Sequence, residues 1–223
     1  MVLDMVKQNV FIAGGTGYMG TRLIAELVQR GHDIRALTRK DSAHKLPRGC
    51  VPIIGDALDK NSYLSQIGPA ETFVHLVGVS HPNPSKVEQF RAIDLVSVQN
   101  AVPAAVAAGV KHFVYVSVAH PAPFMQAYWQ TRVECEQIIR ASGLQATILR
   151  PWYVLGPGHW WPSVLMPMYW FFERLPATRA KAQQFGLVKL QHMIHALVHA
   201  VENPAPGVQI MDVPQIRSSR LAS

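Results

Sequence analysis

Val10-Phe11-Ile12-Ala13-Gly14-Gly15-Thr16-Gly17-Tyr18-Met19-Gly20 is an apolar run that empties into a glycine-rich turn, and an amphipathic stretch with Leu23, Ile24, Leu27 and Val28 follows it. The order strand, turn, helix is that of a dinucleotide-binding βα unit. A helix N-terminus carries backbone N–H groups without intrahelical partners at the positive end of its dipole, where a pyrophosphate can be held. Glycine removes the side chains that would block the approach. The spacing is GxxGxxG, through Gly14, Gly17 and Gly20, rather than GxGxxG.

Working outward, the second strand of such a unit ends beside the adenosine ribose, roughly 20 residues past the glycines, where a carboxylate would bind the 2'-hydroxyl of NAD. This chain has Thr38-Arg39-Lys40 there. A planar guanidinium fork and a point charge suit a 2'-phosphate, so the expected cofactor is NADP(H) ahead of NAD(H). The alternative is a solvated basic loop, with Asp41 partly neutralising it.

Strand-like runs recur at 9–14, 33–38, 51–55, 72–78, 112–118 and 145–150, with a short one at 208–211. Helical patterns fill 18–30, 59–67, 85–108, 124–142 and 190–203. This alternation predicts an α/β fold, a doubly wound parallel sheet of Rossmann type. Asp59 is the expected N-cap of the second helix, and Ser85 with Glu88 reads as a capping box on the third. Pro103 falls inside that third helix and is expected to kink it. Gly31, Gly109 and Gly143 stand where a left-handed helix C-terminus is wanted. The dinucleotide-binding core is expected over 1–150, with 151–223 forming a small substrate roof integrated with it over the sheet's carboxyl edge.

Composition narrows the function classes. Of 223 residues, 49% are hydrophobic and 16% charged, which excludes disorder. The net charge of +7 comes from scattered cations, so no nucleic-acid partner is expected. Cys50 and Cys135 are too few for a disulfide framework, and a reduced, cytoplasmic setting is the default expectation. The N-terminal stretch MVLDMVKQN has no apolar core of signal-peptide length, and no apolar run approaches an integral membrane segment. His192, His195 and His199 share a helix face, but Ala196 follows where a zincin-like motif has its Glu, so no metal site is expected.

With these residues in hand, the chain resembles the extended and atypical short-chain dehydrogenase/reductase superfamily, in its epimerase-like or nitrogen-metabolite-repressor-like branch. The resemblance rests on the glycine turn, Gly55-Asp56, His75-Leu76-Val77-Gly78, Asp94 and Asn100, Val114-Tyr115-Val116-Ser117, and Ile148-Leu149-Arg150-Pro151 leading into Val154-Leu155-Gly156-Pro157-Gly158. It implies a cofactor cradle of Gly14, Thr16, Gly17, Tyr18, Met19 and Gly20, with Arg39 and Lys40 as the clamp on the adenosine side. Asp56 would contact adenine with Ala57 beside it, Leu76 and Gly78 would lie along the ribose, and Pro151 and Tyr153 would border the nicotinamide.

The family's catalytic Tyr and Lys stand four residues apart on one helix face, so that the Lys cation binds ribose and lowers the tyrosine pKa. Here the pair is Tyr128 and Arg132. The resemblance makes Tyr128 the proton donor and Arg132 the ribose and electrostatic partner, and lysine at 132 is expected to keep or raise activity. Ser117 is the nearest candidate for the family's hydroxyl, one residue ahead of the aligned Val118. A one-residue shift on a strand reverses the side chain, so Ser117 either faces the cofactor or merely closes the strand. Trp152, Trp160 and Trp161, with Tyr169, Trp170, Phe171 and Phe172, make the segment after Pro151 strongly aromatic. They line an apolar pocket, form a homodimer contact, or lie on a membrane surface. The leading expectation is an NADP(H)-dependent oxidoreductase acting on a carbonyl or alcohol of a small apolar or aromatic substrate. The alternative is a non-catalytic NADP(H)-binding sensor or assembly factor.

Overall fold

The structure is a computed structural model and describes residues 6–80, 82–122, 125–157 and 186–220. Strand β1 (Asn9–Ala13) opens the chain and is buried on both faces: Val10 and Ile12 enter one core, Phe11 and Ala13 the other. That is the pattern of a central parallel strand covered by helices on each side. It is followed by α1 (Gly20–Gln29), β2 (Asp33–Thr38), β3 (Cys50–Ile54) and β4 (Thr72–His75). Next come α2 (Val87–Gln89), α3 (Val96–Ala107), β5 (His112–Val116), α4 (Gln126–Ala141) and β6 (Gln145–Arg150). Beyond residue 150 are β7 (Tyr153–Leu155), β8 (Leu187–Lys189), α5 (Leu190–Glu202), β9 (Val208–Asp212) and α6 (Val213–Ser218).

Seven strands form one parallel sheet in the order β3-β2-β1-β4-β5-β6-β9. The chain winds outward from β1 through β2 and β3, returns to β4 on β1's other side, and continues outward. The carboxyl ends of β1 and β4 therefore flank the switch point where ligands of such sheets bind. One core packs α1, α5 and α6 against the sheet, and the other packs α3 and α4. The C-terminal third thus completes the main sheet and its core through β9 and α5. The β7–β8 pair forms a separate two-stranded parallel sheet.

Local structure departs from the sequence expectation in three places. Residues 59–67 are two 3-10 turns, Lys60–Ser62 and Leu64–Gln66, rather than one helix. Asp59 does cap, its carboxylate accepting from Asn61 N at 3.0 Å, but Ser62 Oγ donates back to Asp59 O at 2.7 Å and closes the turn. The capping box of Ser85 and Glu88 gives way to Asn83, whose Oδ1 accepts from Ser85 N at 3.0 Å and from Ser85 Oγ at 2.6 Å. The serine hydroxyl is spent as a donor. The long helix is interrupted by a π segment at Phe90–Leu95, and α3 then runs through Pro103. Gly31, Gly109 and Gly143 take positive φ of 88°, 72° and 76° at helix ends.

Candidate active site at the carboxyl edge of the sheet

The glycine turn divides its labour by position. Gly14 has φ of 87°, and a Cβ there would lie 2.8 Å from the Leu76 carbonyl carbon, so β1 and β4 meet backbone to backbone. A side chain at Gly20 would collide with Gly14 O. Gly17 is exposed, and a Cβ there would meet only Gly14 O, at 3.2 Å, with open space beyond. Gly14 and Gly20 are thus glycines for packing, whereas Gly17 leaves the outer face clear for a ligand. The turn is held by Gly17 N donating to Gly14 O at 3.1 Å. The Arg22 guanidinium lies 4.5 Å over the Tyr18 ring, and Met19 packs on the core just before α1. Thr16 is half-buried beside Gly17.

On one side of this turn, β2 delivers Arg39 and Lys40 to the surface, where a 3-10 turn, Lys40–Lys45, begins. Among the described residues neither cation, nor Asp41, has an ion-pair partner. Asp56 is exposed past the end of β3, its Oδ1 accepting from Leu58 N at 2.9 Å, and Ala57 packs on the core.

On the other side, helix α4 presents Tyr128, half-buried, and Arg132, which is 6% exposed. The guanidinium lies 5.3 Å from the Tyr128 ring centroid, and the Phe90 ring packs tilted against that ring at 5.0 Å. The guanidinium is turned inward. Nη2 donates to Asp94 Oδ1 at 2.8 Å, and Nη1 donates to Tyr115 Oη at 3.1 Å and Val116 O at 3.0 Å. Burial pushes the Asp94 carboxyl up, against the pull of Arg132 and of Val79 N–H. Beneath them His75, 1% exposed, sits among Phe113 and Tyr115, and neither ring nitrogen has a hydrogen-bond partner among the described residues. Burial, then the nearby Arg132 charge, lowers its pKa to about 3, so the imidazole is neutral.

Ser117 belongs to a second cluster. Its hydroxyl donates to Glu136 Oε1 at 2.6 Å, and the same carboxylate takes both Nη2 and Nε of Arg150, the latter at 3.0 Å, and faces His120 Nε2 at 3.3 Å. Burial pushes Glu136 up, but the hydrogen bonds from His120, Arg150 and Ser117 outweigh it and hold the carboxyl at about 2. Pro151 O accepts from Ala119 N at 2.9 Å, Trp152 packs on the core, and Tyr153 opens β7. Trp160, Trp161 and the other aromatics from 159 to 172 lie outside the described residues.

The structure therefore brings Tyr128 and Arg132 together and ties Ser117 to Glu136. Sequence reasoning missed Glu136, Arg150 and His120 as site residues. A signal was available: Arg132, Cys135, Glu136 and Ile139 share a helix face, all buried, and charges on an apolar face must find buried partners.

A glycine-rich turn at the switch point of a seven-stranded parallel sheet, with a Tyr-x-x-x-Arg helix beside it, defines a Rossmann-type domain. The chain belongs to the NAD(P)H-binding family, whose model it matches over residues 14–156. It is 30% identical over 209 residues to ceramide reductase of Caulobacter vibrioides, covering 92% of this chain and 64% of that protein. To the chloroplastic protein TIC 62 of Oryza sativa subsp. japonica it is 30% identical over 175 residues, covering 65% of this chain and 35% of that protein. The chain thus spans less than two thirds of the length of either relative. In fold it is similar to the Bordetella bronchiseptica enzyme WbmH in complex with NAD+, with a TM-score of 0.69 at 22% identity over 92% of this chain and 76% of that one. Among the described residues, no helix is long and apolar enough to cross a membrane.

Proposed function

We propose that this chain is an NADP(H)-dependent reductase of a carbonyl carried on an apolar substrate. The observation that carries the cofactor choice is the exposed Arg39–Lys40 pair at the end of β2, with no carboxylate paired to either cation among the described residues. A 2'-phosphate is the ligand such a pair fits. The name of ceramide reductase supports an apolar carbonyl compound as substrate class.

The residues present fit the dinucleotide, since the face of Gly17 is clear and the cations stand free on the adenosine side. Gly14, Thr16, Gly17, Tyr18, Met19 and Gly20 would hold the pyrophosphate. Asp56 and Ala57 would border the adenine, and Leu76, Gly78, Pro151 and Tyr153 the nicotinamide half. When bound, the cofactor supplies hydride to the carbonyl carbon. Tyr128 gives its phenolic proton to the carbonyl oxygen and is reprotonated from solvent. Ser117, engaged by Glu136, and Arg132, engaged by Asp94, act in this reading by holding the walls of the site. Trp152 belongs to the substrate side.

The inward turn of Arg132 favours a second reading, a cofactor-binding protein without turnover. Titration of tryptophan fluorescence with NADPH and NADH tests the cofactor choice. Arg39→Ala is expected to weaken NADPH about tenfold to a hundredfold, the worth of a charge-assisted hydrogen bond, and to leave NADH nearly unchanged. Equal loss for both cofactors contradicts it.

A further inference from the structure

The Asp94–Arg132 pair is fully buried: the Asp94 side chain is 0% exposed and that of Arg132 is 7%. A buried ion pair contributes little to stability, because desolvation of both charges offsets their attraction. This one is also incompletely satisfied. Asp94 Oδ2 and Arg132 Nε have no hydrogen-bond partner among the described residues. Core packing alone gives no reason to place it here.

Its surroundings give one. Asp94 lies in the π segment Phe90–Leu95, where the change of helical register is of the kind found at functional sites. Its backbone carbonyl accepts from Ser97 Oγ at 3.0 Å and from Cys135 Sγ at 3.7 Å, which fixes the residue from two helices. The carboxylate oxygen that takes Arg132 also accepts from Val79 N at 3.0 Å. One residue earlier, Gly78 is exposed, yet a Cβ there would fall on Arg132 Nη2 and stand 2.5 Å from Asp94 Oδ1. The ion pair fills the place of Gly78's side chain. At the other end of the same short segment, Leu76 carbonyl abuts Gly14 of the phosphate turn. Residues 76–79 are thus a wall fastened at one end to the turn and at the other to Asp94 and Arg132.

Sheet order gives that wall its meaning. Arg39 and Lys40 follow β2, on one side of the turn, while Gly78 follows β4 and α4, which carries Tyr128, connects the next two strands, β5 and β6. A dinucleotide laid across the switch point has its adenosine half toward β2 and its nicotinamide half along 76–79. We propose that Asp94 is a positioning residue for the nicotinamide half: by gripping Val79 N–H and Arg132 together, it sets the wall on which that half rests and the cation beside Tyr128. Arg132 then serves as part of that wall rather than as the ribose ligand of the family pattern. The proposal rests on the cofactor-binding reading given above.

The test compares a whole cofactor with its adenosine half. NADPH and adenosine 2',5'-bisphosphate are titrated by calorimetry against the parent, Asp94→Asn and Gly78→Ala, with NADH and ADP run in parallel. Asparagine keeps an oxygen for Val79 N–H and removes the charge that orients Arg132. Alanine at Gly78 sets a methyl against the buried Asp94–Arg132 pair and so displaces the wall from its outer side. Both variants are expected to lose about tenfold in dinucleotide affinity, the equivalent of one lost hydrogen bond, and less than about twofold in affinity for the half-ligand. Equal loss on whole and half ligand, or no loss on either, in a folded Gly78→Ala protein overturns the positioning role. A parent that binds neither dinucleotide overturns the cofactor reading instead.

Discussion

Glu136→Gln is the substitution whose consequence can be worked furthest. In the fold this carboxylate is 3% exposed and is held at about 2 against an ordinary 4.5. At about 1.4 kcal/mol per tenfold change in proton affinity, that difference amounts to about 3 kcal/mol near neutral pH. Its proton affinity is depressed in the fold, so the stabilisation is complete above about pH 4.5 and is lost as the pH falls toward 2. Glutamine removes the charge and leaves Arg150 without its counter-ion, which is of the same order as breaking a buried pair. Urea unfolding at a series of pH values is the assay. The parent is expected to exceed the variant by about 3 kcal/mol at neutral pH, with more than half of that gap closed by about pH 3. Curves for parent and variant that run parallel across this range would refute the assignment of Glu136 as the buried, ionised hub of Ser117, His120 and Arg150.

Two further outcomes follow from the same geometry. His75→Phe keeps the aromatic contacts with Phe113 and Tyr115 while removing two ring nitrogens that have no partner among the described residues. A neutral imidazole with its pKa lowered to about 3 costs stability as the unfolded chain protonates below 6.5, so the phenylalanine variant should retain about 3 kcal/mol more than the parent on going from pH 6.5 to about 4. An unchanged acid profile, read by thermal melts, counts against it. Gly17→Val should abolish dinucleotide binding in a protein with native circular dichroism, because its side chain would enter the open face proposed for the pyrophosphate. Retained affinity in the folded variant contradicts that placement.

The strands of the sheet are legible because each is a short apolar run bounded by turn residues, and their alternation with helices admits few topologies. The glycine-rich turn is legible because the close backbone approaches at Gly14 and Gly20 leave no room for a side chain and so constrain the residue types. Residues 59–67 mislead because side-chain hydrogen bonds from Asp59 and Ser62 compete with the helix at a scale that apolar spacing does not register. The β7–β8 pairing joins strands of three residues each from distant parts of the chain, which leaves no local periodicity to read. The inward commitment of Arg132 escapes for a related reason. A Tyr-x-x-x-Arg spacing fixes the helix face, whereas the partner Asp94 lies 38 residues away and is brought in by a π segment. The expectation that lysine at 132 keeps activity does not fit this arrangement, since one ammonium cannot reproduce the fork that meets Asp94, Tyr115 and Val116 together.

The central claim is that this site reduces a carbonyl with Tyr128 as its acid. The most direct measurement is NADPH oxidation by the parent and Tyr128→Phe across a panel of aliphatic, long-chain and aromatic ketones, with NADPH affinity titrated in both. The account expects turnover with at least one apolar ketone, reduced by about a hundredfold to ten-thousandfold in Tyr128→Phe while NADPH binding stays within about twofold. A Tyr128→Phe protein that turns over at the parent's rate would contradict it, and so would a parent that binds NADPH and oxidises none of it.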